Sequence, residues 1–392
     1  MTLVGVASDP LHPVPDEAMP SRSRPPSVWL LMGHREGDNS QVLALGEALG
    51  WPFEIKRFAY TRYELLVNWP FVSSLVGVDA SRSSRLGPPW PELVLTAGRR
   101  NEPIARWIQR QASHHVHRVH VGRPWERVHH WDLVVTTPQY RLPRVHNVLH
   151  NEAPLHRIVP ERLEKARRRW ESRVAHLPRP RVTVLAGGNS GPYPFDARSG
   201  ARLGRMASAM ASKLGGSLLV TTSARTSPAT AEALVGAIEA PSFVYRWSAD
   251  DPDNPYFGLL ALADRIVVTA DSVSMMAEAC ATGRPVYLYD TGEGKRSMRG
   301  APADCSGPGL AGWLERAHWK AFIYRQAMRF GPSRLTRDIR IVQRALVDSG
   351  RVAWLGEGEP ASERPPLRDL ERAAEAVRAL FEQPAAVRFG RR

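Results

Sequence analysis

The sequence predicts an α/β protein built as two similar halves, each a mostly parallel sheet covered by helices. Three observations predict it. Short apolar runs alternate with segments of helical periodicity from Val28 onward. The alternation stops at Pro178-Arg179-Pro180-Arg181 and restarts at once, and the turns that end the runs are rich in Gly, Ser and Thr. The length of 392 residues agrees, because it exceeds what one core usually fills and suits two domains of roughly 150–200 residues.

The elements follow in chain order. Residues 1–26 hold Pro10, Pro13, Pro15, Pro20, Pro25 and Pro26 with little apolar periodicity, and read as a disordered leader. Val28-Trp29-Leu30-Leu31-Met32 is a buried strand ending at Gly33. After His34-Arg35-Glu36-Gly37-Asp38-Asn39-Ser40, a helix carries Val42, Leu43, Leu45 and Leu49 at its apolar spacing and stops at Gly50. A strand over 53–58 comes next. Residues 92–96 then run into Ala97-Gly98-Arg99-Arg100 and a helix over 103–111. His117–Val121 and 132–136 are two further β-rich runs, and 161–176 is a basic helix with Lys165, Arg167, Arg168, Arg169 and Arg173. The Pro-rich segment after it sets the expected domain boundary, 27–177 against 178–330.

The second half repeats the pattern. A strand over 181–186 meets the turn Gly187-Gly188-Asn189-Ser190-Gly191. A helix over 199–214 aligns Leu203, Met206, Ala207, Met210 and Leu214. Strands at 217–222, 243–247, 265–269 and 286–289 follow, with a helix near 228–239.

Composition excludes several classes. Apolar residues make up 43% and charged residues 23%, which is ordinary for a globular chain. No apolar run reaches the ~18 residues of a membrane span, and the N-terminus has no basic region followed by a hydrophobic stretch, so no secretory signal is expected. Cys280 and Cys305 make no disulfide framework and fit a reducing cytoplasm. The net charge of +14, carried almost wholly by arginine, implies an anionic partner. Nucleic acid is not expected, because Trp170 is the lone aromatic among the basic residues of 162–173. His114, His115, His117, His120, His129 and His130 cluster without a recognised ligand spacing, and no metal is expected.

Three strand-end motifs carry chemistry. Gly188, Asn189 and Ser190 lie in a turn whose backbone N–H groups suit an anion. Ser223 and Arg225, in Thr222-Ser223-Ala224-Arg225-Thr226, add hydroxyl and guanidinium at a strand end, where α/β sheets bind ligands. In Thr269-Ala270-Asp271-Ser272-Val273-Ser274 a polar turn opens a short helix, and Glu278 lies one turn beyond Ser274 on the same face. Gly283 and Pro285 end that helix. A hydroxyl-rich helix start suits phosphate, and a carboxylate one turn on suits ribose hydroxyls. In the first half, Arg99 and Arg100 follow a strand end and suit an acceptor phosphate or solvent.

These residues carry a resemblance. The Thr269–Pro285 segment resembles the donor-nucleotide motif of GT-B glycosyltransferases, and that resemblance implies that the first strand–helix turn of the first half faces the acceptor, which makes Asp38 and His34 the candidates for a general base, with Glu36 third. Asp38 as a helix cap is the competing reading. Gly33…Glu36-Gly37-Asp38-Asn39-Ser40-Gln41, Ala97-Gly98-Arg99-Arg100, Gly187-Gly188-Asn189-Ser190, Thr222–Thr226 and Thr269–Met275 together resemble the elongated-mitochondria (mitochondrial fission protein) family of plants and proteobacteria over roughly residues 28–330. The resemblance implies two Rossmann-like domains in a GT-B-type arrangement, with an acceptor-side N-terminal domain and a nucleotide-sugar side in 178–330. Residues 331–392 would then be a helical segment packing back on the first domain, with the crossing helix in 318–345 and its Trp319, Phe322 and Tyr324.

By the same resemblance Ser190, Ser223, Arg225, Ser272, Ser274 and Glu278 would line a nucleotide-diphosphate site. Arg225, with Lys295 or Arg296, would stabilise the leaving diphosphate. The implied function is a glycosyltransferase that moves a sugar from a nucleotide-diphosphate donor to an envelope or lipid-linked acceptor. It would need no cofactor and work in the cytoplasm or peripherally at the inner face of the cytoplasmic membrane, where an anionic lipid would be its partner. The alternatives are a nucleotide-sugar epimerase and a non-catalytic membrane-recruitment scaffold.

Overall fold

The structure is a computed structural model that describes residues 24–61, 75–191, 193–249, 251–292, 297–299 and 337–382. The first half folds as β1 (Val28–Met32), α1 (Glu36–Leu49), β2 (Phe53–Arg57), β3 (Leu93–Ala97), α2 (Glu102–Gln111), β4 (His117–Val121), β5 (Leu133–Thr136), β6 (Val148–His150) and α3 (Pro160–Val174). The second half folds as β7 (Arg181–Leu185), α4 (Ala197–Lys213), β8 (Ser217–Thr221), α5 (Pro228–Gly236), β9 (Ser242–Tyr245), α6 (Tyr256–Leu262), β10 (Arg265–Thr269), α7 (Val273–Ala281) and β11 (Val286–Tyr289). It is completed by α8 (Arg340–Asp348) and β12 (Val352–Trp354), and α9 (Asp369–Glu382) follows.

Two six-stranded parallel sheets result, ordered β2-β1-β3-β4-β5-β6 and β12-β11-β10-β7-β8-β9. The two-domain Rossmann-like expectation holds. The central strands are buried along their whole length, as VWLLM in β1 and RVTVL in β7, because helices cover both faces and leave no polar side to alternate with. In each sheet the chain reverses its direction of progress at one point, between β1 and β3 and between β7 and β10. Loops from those neighbouring strands diverge to opposite faces and open a crevice at the carboxyl edge, where doubly wound sheets bind ligands.

Packing assigns the connecting and terminal segments. The apolar face of α3 is Trp170 and Val174, which pack with Leu219, Leu259 and Leu262 of the second half. A Cβ on Gly258 would stand 2.5 Å from the Trp170 ring, so the small residue lets α3 and α6 approach closely. A boundary at 178 therefore falls after a helix that packs on the second sheet. Most of the basic residues of α3 are ion-paired: Arg167 with Glu164 and Glu171, Arg168 with Glu164, and Arg169 and Arg173 with Asp253.

Within 331–392, Ile339, Val342, Leu346 and Val352 join the second core, and β12 extends the second sheet beside β11. The return to the first domain is made by α9, whose Ala373, Ala374 and Val377 pack with Val42, Leu45 and Leu49 of α1. The expected leader lies almost wholly outside the described residues, as do Lys295, Arg296 and 318–336. The halves also meet at Asp338, whose N–H donates to Gln139 O at 3.1 Å and whose carboxylate accepts from Arg141 Nη2 at 3.0 Å. Among the described residues no helix is long and apolar enough to cross a membrane.

Candidate functional site

In the second half the crevice lies between β7 and β10, and side-chain bonds across it fix its floor. Gly187 N donates to Thr269 Oγ1 at 2.7 Å, and Gly188 N donates to Asp271 Oδ2 at 3.1 Å. The same carboxylate, fully buried, holds Arg225 Nη1 at 2.8 Å. Arg225 Nη1 also donates to Asn189 O at 3.3 Å, while the residue itself stays exposed. Ser223 Oγ donates to Gly187 O at 2.9 Å, and Thr226 Oγ1 bonds the same carbonyl.

Two glycines are required here by close approach. A Cβ on Gly188 would fall 2.0 Å from the Arg225 carbonyl oxygen, and one on Gly187 would fall 2.6 Å from the Asp271 carboxylate. The Gly187–Ser190 turn and the Ser223–Thr226 turn are thus one unit. Asn189 Oδ1 accepts from Phe195 N at 2.7 Å, and Ser190 exchanges two backbone bonds with Tyr193. Ser190 and Ser223 are half-buried at the rim.

From β10 the chain turns through Asp271 into α7, with Ser272 at the N-cap position making no side-chain cap bond. Gly283, at φ 72°, ends the segment in the left-handed conformation expected of a helix stop. Ser274 lies in the first turn. Glu278 lies one turn on, and its Oε2 accepts from the Tyr256 hydroxyl of α6 at 2.5 Å. Burial pushes the Glu278 carboxyl up to about 7, against the Tyr256 bond and the Arg157 charge, which pull it down.

In the first half the crevice lies between β1 and β3. Asn39 closes the β1 turn by accepting from Gly33 N and donating to Gly33 O, both at 2.9 Å. Asn101 does the same for the β3 turn, donating to Leu31 O at 3.0 Å and Ala97 O at 3.2 Å, and its Oδ1 accepts from Tyr60. Arg35 occupies the N-cap position of α1 and caps nothing with its side chain. Asp38 therefore sits inside the first turn rather than at the cap, and its carboxylate lies against Gly98 of the β3 turn, 3.2 Å from where a Cβ would stand. Burial raises the Asp38 carboxyl above the ordinary range, opposed by the charges of Arg35 and Arg337. His34 is exposed, with Arg100 Nη1 2.6 Å from its Nδ1, and Arg100 also lies over the Tyr60 ring. Arg99 is exposed at the turn.

The two crevices face each other. A Cβ on Gly37 would stand 3.7 Å from Ser274 Oγ, so the first turns of α1 and α7 converge across the domains. The N-terminal ends of two helices then share one space, where their dipoles favour an anion. The candidate residues divide accordingly. Gly188, Asn189, Ser190, Ser223 and Arg225 form one wall, Ser272, Ser274 and Glu278 lie along α7, and His34, Asp38, Arg99 and Arg100 line the opposite turns.

Sequence reasoning missed Asn39, Asn101, Tyr60, Tyr256 and Asp271. Asp271 had a legible signal, an acid at a strand end facing Gly-Gly. The others depend on partners up to 70 residues away in the chain.

The mitochondrial fission ELM1 family model matches residues 36–303. Mitochondrial fission protein ELM1 of Arabidopsis thaliana is 32% identical over 223 residues, which cover 50% of this chain and 51% of that protein. The chain thus spans about half the length of that relative. An uncharacterized protein of Rickettsia prowazekii (strain Madrid E) is 20% identical over 298 residues, covering 67% of this chain and 83% of its own. Among solved structures, the UDP-GlcNAc 2-epimerase from Neisseria meningitidis bound to UDP-GlcNAc aligns over 91% of this chain and 92% of its own, with 12% identity and a TM-score of 0.44. MurG of Acinetobacter baumannii aligns over 91% and 100%, with 12% identity and a TM-score of 0.38. The family match takes in the α1 turn, the Gly187–Ser190 turn and the α7 turn, and the chain belongs to the mitochondrial fission ELM1 family.

Proposed function

We propose that the chain is a GT-B-type glycosyltransferase that moves a sugar from a nucleotide-diphosphate donor to an envelope or lipid-linked acceptor. The observation that carries this reading is the convergence of the α1 and α7 first turns, Gly37 against Ser274, over the strand-end turn that holds Arg225. The diphosphate binds the α7 N-terminus with Ser272 and Ser274, where N–H donors and dipole favour an anion. Arg225, positioned by Asp271, adds charge as the leaving diphosphate develops. Glu278 takes the ribose hydroxyls. Asp38, whose carboxyl burial makes more basic, removes the acceptor hydroxyl proton. His34 and Arg100 flank the acceptor. No cofactor is required, because charge stabilisation comes from side chains and helix ends. Arg99, exposed at the β3 turn, and the net charge of +14 suit an acceptor at an anionic membrane face.

A second reading, a non-catalytic GT-B-like recruitment protein, is favoured by the relative's name as a mitochondrial fission protein. Titration calorimetry with UDP, GDP and CMP separates the two. The enzymatic reading expects one of them to bind and Glu278→Ala to weaken it. Failure of all three to bind refutes that reading. Turnover is expected to be abolished in Asp38→Asn with nucleotide affinity intact, and retained turnover removes Asp38 as the base.

A further inference from the structure

We propose that the amino edge of the first sheet, remote from the crevice, holds a divalent transition-metal site made by His115, His117 and Asp132. His115 and His117 are two residues apart as the chain enters β4, and their rings lie on one side, 4.8 Å apart and edge to face. Asp132 precedes the neighbouring strand β5, so parallel pairing of β4 and β5 delivers its carboxylate to the same point. His115 Nε2 lies 2.9 Å from Asp132 Oδ1, and His117 Nδ1 lies 3.5 Å from it. One ligand atom from each residue falls within 4.8 Å of the other two.

Ligands about 2.0–2.2 Å from a tetrahedral ion stand about 3.3 Å from one another, so small ring and carboxylate adjustments admit a metal. The other carboxylate oxygen is already oriented, accepting from Arg118 N at 2.8 Å. The second imidazole is braced by the Phe381 ring at 4.5 Å. A bonded ligand held by an outer partner is the usual construction of a metal site. Asp132 Oδ1 faces both imidazoles and supplies the carboxylate ligand atom. His115 is exposed and gives the ion an entry path. Two imidazoles and one carboxylate with an open fourth position suit a borderline ion of the Zn2+ class over Mg2+ or Ca2+. Because the site joins β4, β5 and, through Phe381, α9, the ion would staple the first sheet to its C-terminal helix.

The experiment titrates Zn2+ into untagged full-length protein previously stripped with chelator. It is repeated with Co2+ to read the visible spectrum of a tetrahedral site. One equivalent is expected to bind, and His115→Ala and Asp132→Asn are each expected to weaken binding about tenfold or more. His115 is exposed, so His115→Ala is expected to melt as the wild type does without metal, and its loss of zinc affinity is read free of any folding defect. His129→Ala, at a separate surface histidine pair, is expected to bind as the wild type does. Absence of zinc uptake by the wild type, or wild-type affinity in either ligand variant, overturns the site.

Discussion

At the residue scale, Glu278 and Glu102, two of the carboxyls that burial pushes toward neutrality, make different kinds of forecast. Glu278 titrates near 7, and only its ionised form accepts two hydroxyl donors. UDP affinity is therefore expected to rise between pH 6 and 8. In Glu278→Gln that rise is expected to shrink to whatever the ligand's own phosphate contributes, as calorimetry at both pH values would report.

Glu102 concerns stability instead. It is buried under the β4–β5 connection, accepts from Trp125 N and Glu126 N, and burial pushes it up to about 8. His120, fully buried 3.6 Å away, is pushed down to about 3. Glu102 keeps a proton in the folded state that it loses in the unfolded state above its ordinary 4.5, so its contribution is full below 4.5 and is lost as pH rises through 8. His120 acts oppositely, with a contribution full above 6.5 and lost as pH falls. The pair therefore gives cancelling slopes between 4.5 and 6.5 and a decline above. Urea unfolding is expected to lose about 1–2 kcal/mol from pH 6.5 to 8, and Glu102→Gln is expected to lack that decline.

At the scale of elements, the strongest strands were legible because they are short runs rich in Val, Ile and Leu that end in polar or glycine turns: β1, β3, β7, β10 and β11 all stand where that composition put them. The three-residue strands β6 and β12 carry no periodicity and exist only because a neighbour offers hydrogen bonds. The short helix α6 was hidden for a related reason. YFGLLAL is apolar nearly all round, and what makes it a helix is the close seat its Gly258 gives Trp170. The most consequential element that patterning gave no range of its own is α9, which lies within the 331–392 segment expected to pack back on the first domain. Its Val377 is fully buried against α1, so Val377→Asp is expected to cost about 3 kcal/mol and release the helix. Hydrogen exchange would register this as lost protection in both α9 and α1.

At the scale of the whole molecule, the contact between the halves rests partly on Asp338, buried at 3% exposure and shared by Arg141 of one domain and Arg340 of the other. Removing it takes an acceptor from each of these guanidinium groups, and because Arg141 is half exposed Asp338→Ala is expected to destabilise by about 1–2 kcal/mol. Its signature is a wider distribution of domain distances in solution scattering. Asp338→Asn is expected to keep one side-chain oxygen as an acceptor for these arginines and show a smaller effect.

The charge that first pointed to an anionic partner is redistributed by folding. Arg167, Arg168 and Arg173 of α3 are held by acids, which the one-dimensional run of basic residues conceals. By itself the sequence determined the two α/β halves, the three strand-end turns and most of the residues that line them, because buried parallel strands and their glycine turns are written in local composition. Only the tertiary structure decided that Gly37 meets Ser274, that Asp271 joins Arg225 to Gly188, and that His115 and His117 meet Asp132. Each of those contacts joins residues far apart in the chain, and their meeting depends on sheet order and helix packing, which no local pattern encodes.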